Sequence, residues 1–208
     1  MTARTVLHKI LAAKDNKTES FLLNHHNGVA AWVSLLTSVA CPLLSYPAVV
    51  AATLHDLGKV GIADEILFKP GFLNKQEWEL MRQHPVTGAQ LIERFNGELG
   101  LGEELPLVVE AVRHHHERWD GTGYPDGLKG EEIPFLARVL AVADTYDAIT
   151  AWRPYKDAAP KEEALQEIIR CAGKQFDPEL ARMFVAVTGN GFHSIKMIIS
   201  PAFFLYRN

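Results

Sequence analysis

The chain is poor in cysteine, and one long early stretch carries no charge at all. Only two of its 208 residues are cysteine, Cys41 and Cys171, far apart and without CxxC spacing. That excludes a disulfide scaffold and a thiolate zinc ribbon, and leaves two buried, reduced thiols of a cytoplasmic protein as the expectation. Between Ser20 and His55 there is no Asp, Glu, Lys or Arg, as in a membrane span. Yet Pro42, Ser45 and Pro47 divide the stretch, and His25, His26 and Asn27 make its start polar. Each piece is then too short to cross a bilayer, which predicts two buried helices joined by a proline turn. A basic excess is also missing. The net charge of −4 excludes a broad phosphate-tracking surface, and hence a nucleic-acid polymer as partner, but leaves room for a basic pocket that takes a small anion. Met1 to Lys17 has no uninterrupted apolar core of a secretory signal. No alternating run is bounded by hairpin turns, no internal repeat is visible, and no segment has the composition of a linker.

What is present is helical periodicity and an ordinary globular composition, 48% apolar and 22% charged. Val29, Trp32, Val33, Leu36, Val39 and Ala40 recur at helical spacing, and Ala48 to Leu54 continues as a second apolar helix ending near His55. Asn74 with Glu77 has the form of a capping box, opening a helix expected to turn Trp78 and Met81 inward. A break is expected at His84-Pro85, followed by a helix presenting Gly88, Leu91, Ile92 and Phe95. Glu104 to His116 and Pro134 to Thr150 read as further helices, and Pro160 and Pro178 as starts with proline at the first helical position. The expected architecture is one all-α helical bundle over residues 20–187. Residues 1–19 precede it as a helical segment, and residues 188–208 follow as a tail without clear period.

Metal-ligand side chains sit where these helices end. His55-Asp56 closes an apolar helix, and His84 lies at a break. The run His114-His115-His116-Glu117-Arg118-Trp119-Asp120-Gly121-Thr122-Gly123-Tyr124-Pro125 leads from a helix into a glycine-rich loop. Asp144 stands inside the apolar run beginning Leu140-Ala141-Val142-Ala143, where a carboxylate is costly unless it is coordinated or hydrogen-bonded. One histidine in an apolar helix is more often a satisfied core residue than a ligand; several at helix ends are a different matter.

Together these residues resemble the HD-GYP family, metal-dependent hydrolases of cyclic di-GMP. The resemblance runs from about residue 20 to 187 and is densest in Leu54 to Leu67, Lys69-Pro70-Gly71 and Arg113 to Tyr155. It implies a dinuclear site within an all-α HD-superfamily bundle. His25, His55, Asp56 and Asp144 would hold one metal, with Asp56 bridging to a second held by His84, His115 and His116. The first histidine is His25 or His26; the family's H-x-x-x-V-A spacing fits His25 before Val29-Ala30, and His114 becomes the spare member of its triplet. Imidazole-rich sites suit iron or manganese, and also zinc or nickel, better than magnesium or calcium. Lys59 reads as a solvated helix-end lysine or, by the resemblance, as a cation beside the scissile phosphate acting with Asp56. Arg153 and Lys156 match the family's R-x-Y-R/K, which contacts ligand phosphate or base; the alternative is a solvated turn. Gly123 and Tyr124 of the GYP loop would line the substrate cleft, dock a GGDEF-domain protein, or form a structural turn, and Trp119 divides between core and base stacking.

The chain departs from the family at one point. Some members bind a third metal through a Glu one turn before the first His, where this chain has Phe21. Glu19 lies six residues from His25, about 9 Å along a helix, too far to substitute. The expected activity is therefore cyclic di-GMP hydrolysis mainly to pGpG. The alternatives are another cyclic dinucleotide or a nucleotide as substrate, or a non-catalytic module binding cyclic di-GMP or a GGDEF partner. No receiver, sensor or GGDEF segment is visible. The uncharged first helices lack an obvious solvated face, which predicts cover by Val6, Leu7, Ile10 and Leu11 or by a second subunit of a homodimer.

Overall fold

The structure, a computed structural model, describes Thr5, residues 16–151 and residues 158–189; the side chains of 16–24 are not described. Val6, Leu7, Ile10, Leu11, Arg153, Lys156 and the tail beyond Gly189 lie outside the described residues. Among the described residues there are helices and no strand, apart from one isolated bridge between Ala172 and Phe176.

The apolar, uncharged beginning folds as α1 (Asn16–Ala40) and α2 (Ser45–Leu54), separated by a short turn over Pro42–Leu44. Proline cannot continue the hydrogen-bond ladder of α1, so the chain reverses there. At 25 residues α1 is longer than the short piece expected, but no described helix is both long and apolar enough to cross a membrane. It also has a solvated face after all. Asn27, Ala31, Ser34 and Ser38 are exposed at helical spacing, and a count of charges misses them because they are small and neutral. The opposite face buries Val29, Val33 and Leu36.

Further along come α3 (Asp64–Leu67), α4 (Lys75–Met81), α5 (His84–Arg94), α6 (Asn96–Leu99), α7 (Leu105–His114), α8 (Phe135–Thr150), α9 (Lys161–Arg170) and α10 (Pro178–Gly189). The capping box is formed: Asn74 Oδ1 accepts from Glu77 N, and Glu77 Oε2 accepts from Asn74 N. Pro178 opens α10 as expected, whereas Pro160 stands one residue before α9. Two further expectations fail and an open one closes. Trp78 does not turn inward: it is 47% exposed, because the short α4 packs loosely and presents that face to a cleft. Cys41 is only half-buried beside the proline turn, while Cys171 is buried, both as free thiols. Trp119 lies half-buried under the Arg138 guanidinium and does not line the cleft.

Helix α1 packs on α2 and α8, α7 sits between α2 and α8, and α5 crosses α7. The core they share includes Leu54, Ala111, Val112, Leu140 and Phe184, with Trp32 and Tyr146 edge to face at 4.9 Å. A tight turn over Leu57–Gly61 follows α2 and lies directly on α5. Glycine is required there: a Cβ on Gly58 would stand 2.0 Å from the His84 carbonyl oxygen and 2.6 Å from Gly88 N. This close approach brings the end of α2 against the start of α5.

Candidate metal centre

The ends of α2, α4 and α7 meet around one point, and a histidine stands at each. His55 Nδ1 donates to Ala52 O at 2.8 Å, His84 Nδ1 to Met81 O at 2.8 Å, and His115 Nδ1 to Val112 O at 2.6 Å. Each acceptor is one of the terminal carbonyls that a helix leaves without an intrahelical partner. A carbonyl only accepts, so each of these imidazoles carries a proton on Nδ1, and in the neutral form it turns a bare Nε2 inward. His25, on α1, is fixed differently: its Nδ1 lies 2.7 Å from Asp147 Oδ2 of α8.

The inward nitrogens gather around Asp56. Its Oδ1 is 3.3 Å from His84 Nε2, while its Oδ2 is 3.5 Å from His55 Nε2 and 3.8 Å from His25 Nε2. Asp144 Oδ1 lies 3.1 Å from His25 Nε2 and 3.8 Å from His55 Nε2. Two triads of ligand atoms result, His84 with His115 and His116, and His25 with His55 and Asp144. Asp56 turns one oxygen toward a member of each.

These residues fit metal ions on the structure's own terms. His84 Nε2 and His115 Nε2 face each other at 3.4 Å, and with both protons held on Nδ1 neither has one to share. His55 Nε2 is buried without a hydrogen-bond partner among the described residues. Opposed or orphaned lone pairs of this kind are what a cation relieves. The electrostatics agree. Burial and the neighbouring His84 hold His116 neutral, pushing it down to about 3, and burial together with His116 holds His115 low as well. Burial alone would raise Asp56, but its surroundings, led by the Lys59 ammonium 2.6 Å away, outweigh it and keep the carboxylate ionised. His25 runs the other way: burial would lower it, but hydrogen bonds to Asp144 and Asp147 bring it up to about 9, so a metal would have to displace the proton on its Nε2.

His26 is within reach too, grouped with His55 and Asp56 and buried with both ring nitrogens unpartnered among the described residues. It lacks the carboxylate that orients His25, and ligand histidines are usually held through the second nitrogen. The geometry favours His25. His114 stands apart from these groups, beside Glu110, Glu117 and Asp126. Lys59 is no free helix-end lysine: its Nζ rests 2.6 Å from Asp56 Oδ2.

The glycine-rich loop closes one side. Gly121 takes a positive φ of 81°, and Gly123 instead serves close approach, since a Cβ there would lie 2.5 Å from Glu117 Cα. Glu117 Oε1 accepts from Asp126 N at 2.7 Å and Gly127 N at 3.0 Å, clamping the loop so that the Tyr124 ring lies 4.9 Å from His116. A cavity of about 420 Å³ opens from His115, His116 and Asp144 past Tyr124 to Arg82 and Trp78. Sequence reasoning missed Asp147 and Glu117 as positioning residues. The signals were there: Asp147 is one helical turn beyond Asp144, and Glu117 directly follows the histidine triplet.

Residues 16–180 match the HD domain family. A cyclic di-GMP phosphodiesterase of Thermotoga maritima is 48% identical over 136 residues, 65% of this chain and 35% of that protein. A 3'3'-cGAMP-specific phosphodiesterase of Vibrio cholerae is 40% identical over 135 residues, 65% of this chain and 25% of that protein. The chain thus spans about a third or less of the length of these curated relatives. In fold it is similar to an HDG"Y"P protein of Bdellovibrio bacteriovorus, with a TM-score of 0.62 and 18% identity over 89% of this chain and 61% of that one. From residue 16 to residue 180 the chain belongs to the HD domain family, as an HD-GYP domain.

Proposed function

We propose that this domain is a phosphodiesterase that hydrolyses cyclic di-GMP, mainly to pGpG, using two divalent ions of iron or manganese. The observation that carries the reading is the placement of Asp56, one oxygen toward His84 and the other toward His25 and His55. When bound, a metal pair supplies a nucleophilic water at neutral pH and stabilises the oxygens of an in-line displacement. His25, His55 and Asp144 would hold one ion, His84, His115 and His116 the other, and Asp56 both. The protein's own part is orientation. Four histidines are locked by their Nδ1 bonds, so little reorganisation is needed when charge develops on the phosphoryl group. Lys59, beside Asp56, places an ammonium where the scissile phosphate would sit, and Tyr124 excludes water from the side of His116. Arg153 and Lys156, outside the described residues, are assigned to the phosphate or base of the substrate. Cyclic GMP-AMP is the second reading, favoured by the 40% identity to a phosphodiesterase of that name.

The test is an anaerobic assay of protein loaded with iron or manganese against a panel of cyclic dinucleotides, with products identified by chromatography. Cyclic di-GMP turnover at the highest kcat/KM of the panel supports the proposal. Preference for cyclic GMP-AMP transfers it to the second reading, and no turnover by protein holding two metals per chain refutes both.

A further inference from the structure

Arg82 closes the last turn of α4 and borders the cavity, one helical turn after Trp78 and two residues before His84. Its guanidinium carbon lies 4.7 Å from the centroid of the Tyr124 ring, a cation–π distance. Trp78 meets the same ring edge to face at 6.4 Å. Arg82 is therefore held against the Tyr124 ring, and its N–H groups remain without a hydrogen-bond partner among the described residues. Its only carboxylate neighbour among them is the exposed Glu79, at a loose 3.7 Å. The other arginine lining the cavity differs: Arg118 donates to Thr122 and lies near Asp120. Arg113, Arg138 and Arg170 are likewise committed, to Asp126, Asp177 and Glu167. Among the described residues, only Arg82 combines uncommitted guanidinium donors with aromatic neighbours in the cavity that reaches the histidines.

That combination matches a purine better than a phosphate. A cation for the phosphate already stands at Lys59. An indole and a phenol beside an arginine offer a stacking surface with a planar donor edge, and a guanidinium donates two bonds to guanine O6 and N7. Adenine presents an N6 donor in place of O6, so the same fork meets a donor with a donor. The cavity, about 420 Å³, is of a size that takes a nucleotide.

We infer that Arg82 reads a guanine base of the cyclic dinucleotide through O6 and N7, with Trp78 stacking on that base, so that this wall sets preference for guanine over adenine. The inference rests on the proposed function and deepens it.

The experiment uses metal-loaded full chain and compares KM for cyclic di-GMP with the inhibition constant of cyclic di-AMP as competitor. Arg82→Met, which keeps length but removes the donors, should raise KM for cyclic di-GMP about 10- to 100-fold. It should leave the cyclic di-AMP constant within about twofold and the metal content unaltered. Arg82→Lys should fall between Arg82→Met and the wild type, because an ammonium can still donate to O6 and N7 but lacks the planar fork. Trp78→Leu should weaken both ligands together, since stacking does not distinguish bases. Parallel losses for both ligands in Arg82→Met would mean a phosphate contact or a structural role, and would overturn the inference. So would unchanged KM, or loss of metal. If the wild type holds two metals yet never turns over cyclic di-GMP, the proposed function falls and takes this inference with it. If the wild type is active and the Arg82 variants match it, only the inference falls.

Discussion

Asp147 touches no proposed ligand atom, yet it decides where one points. Its Oδ2 sits 2.7 Å from His25 Nδ1, which turns His25 Nε2 toward Asp144 at 3.1 Å and Asp56 at 3.8 Å. A carboxylate behind a ligand imidazole fixes its tautomer and raises its basicity, and removing such a partner usually costs about 10- to 100-fold in metal affinity. Asp147→Asn is therefore expected to weaken metal binding about 10- to 100-fold at the His25 side while the His84 side keeps its ion. A metal titration with two resolved affinities checks this, and equal affinities in variant and wild type would remove Asp147 from the site. The two carboxylates of α8 show the limit of reading residues singly. Asp144 stands out because it interrupts an apolar run, whereas Asp147 comes after Asp144 and Thr145 and so interrupts none.

At the level of the element, three helices end in the same device. The closing turns of α2, α4 and α7 leave carbonyls free, and the histidine that follows takes one up through Nδ1. This satisfies the backbone and orients the proposed ligand with one hydrogen bond. The helices were legible from periodicity and breakers, and so was the position of each histidine at a helix end. Their convergence was not legible, because it depends on the turn after α2 pressing onto α5 through Gly58. Gly58→Ala is expected to destabilise the fold by about 1–3 kcal/mol, the usual penalty for forcing atoms into packed space. It should also lower metal stoichiometry as Asp56 and His84 separate. Gly97 is the control, since a methyl group added there would meet nothing within 4 Å, and Gly97→Ala should leave both properties intact. Thermal unfolding and metal analysis of the two variants check this; a stable, fully metallated Gly58→Ala protein would show that the close approach is dispensable.

For the whole molecule, the proposed function raises the question of how far hydrolysis would run. Cyclic di-GMP contains two phosphodiester bonds, and the linear intermediate carries an extra terminal phosphate that must be held for a second cut. Phe21, one turn before His25 on α1, stands where some family members place a carboxylate for a third ion. Without that carboxylate pGpG should build up and pass only slowly to GMP. A chromatographic time course of metal-loaded protein checks this. Appearance of GMP without transient pGpG would show that two ions and the present side chains suffice.

Residue order alone establishes that the described chain is helical, where the helices break, and which residue types could hold metal. Those properties follow from local spacing, from proline and glycine, and from the chemistry of histidine and aspartate. Packing between helices supplied the rest. The family resemblance already implies two ligand groups joined by Asp56 and favours His25; packing drew these candidate residues together around the Asp56 oxygens, gave His25 a carboxylate partner in Asp147, and turned Trp78 outward beside Arg82 and Tyr124. Each of these joins segments tens of residues apart, His25 with Asp147 and Arg82 with Tyr124 among them. The packing of α1 on α8, and of α4 against the GYP loop, sets such distances. No local pattern carries that information, because it resides in the contacts between helices and not in the period of any one of them.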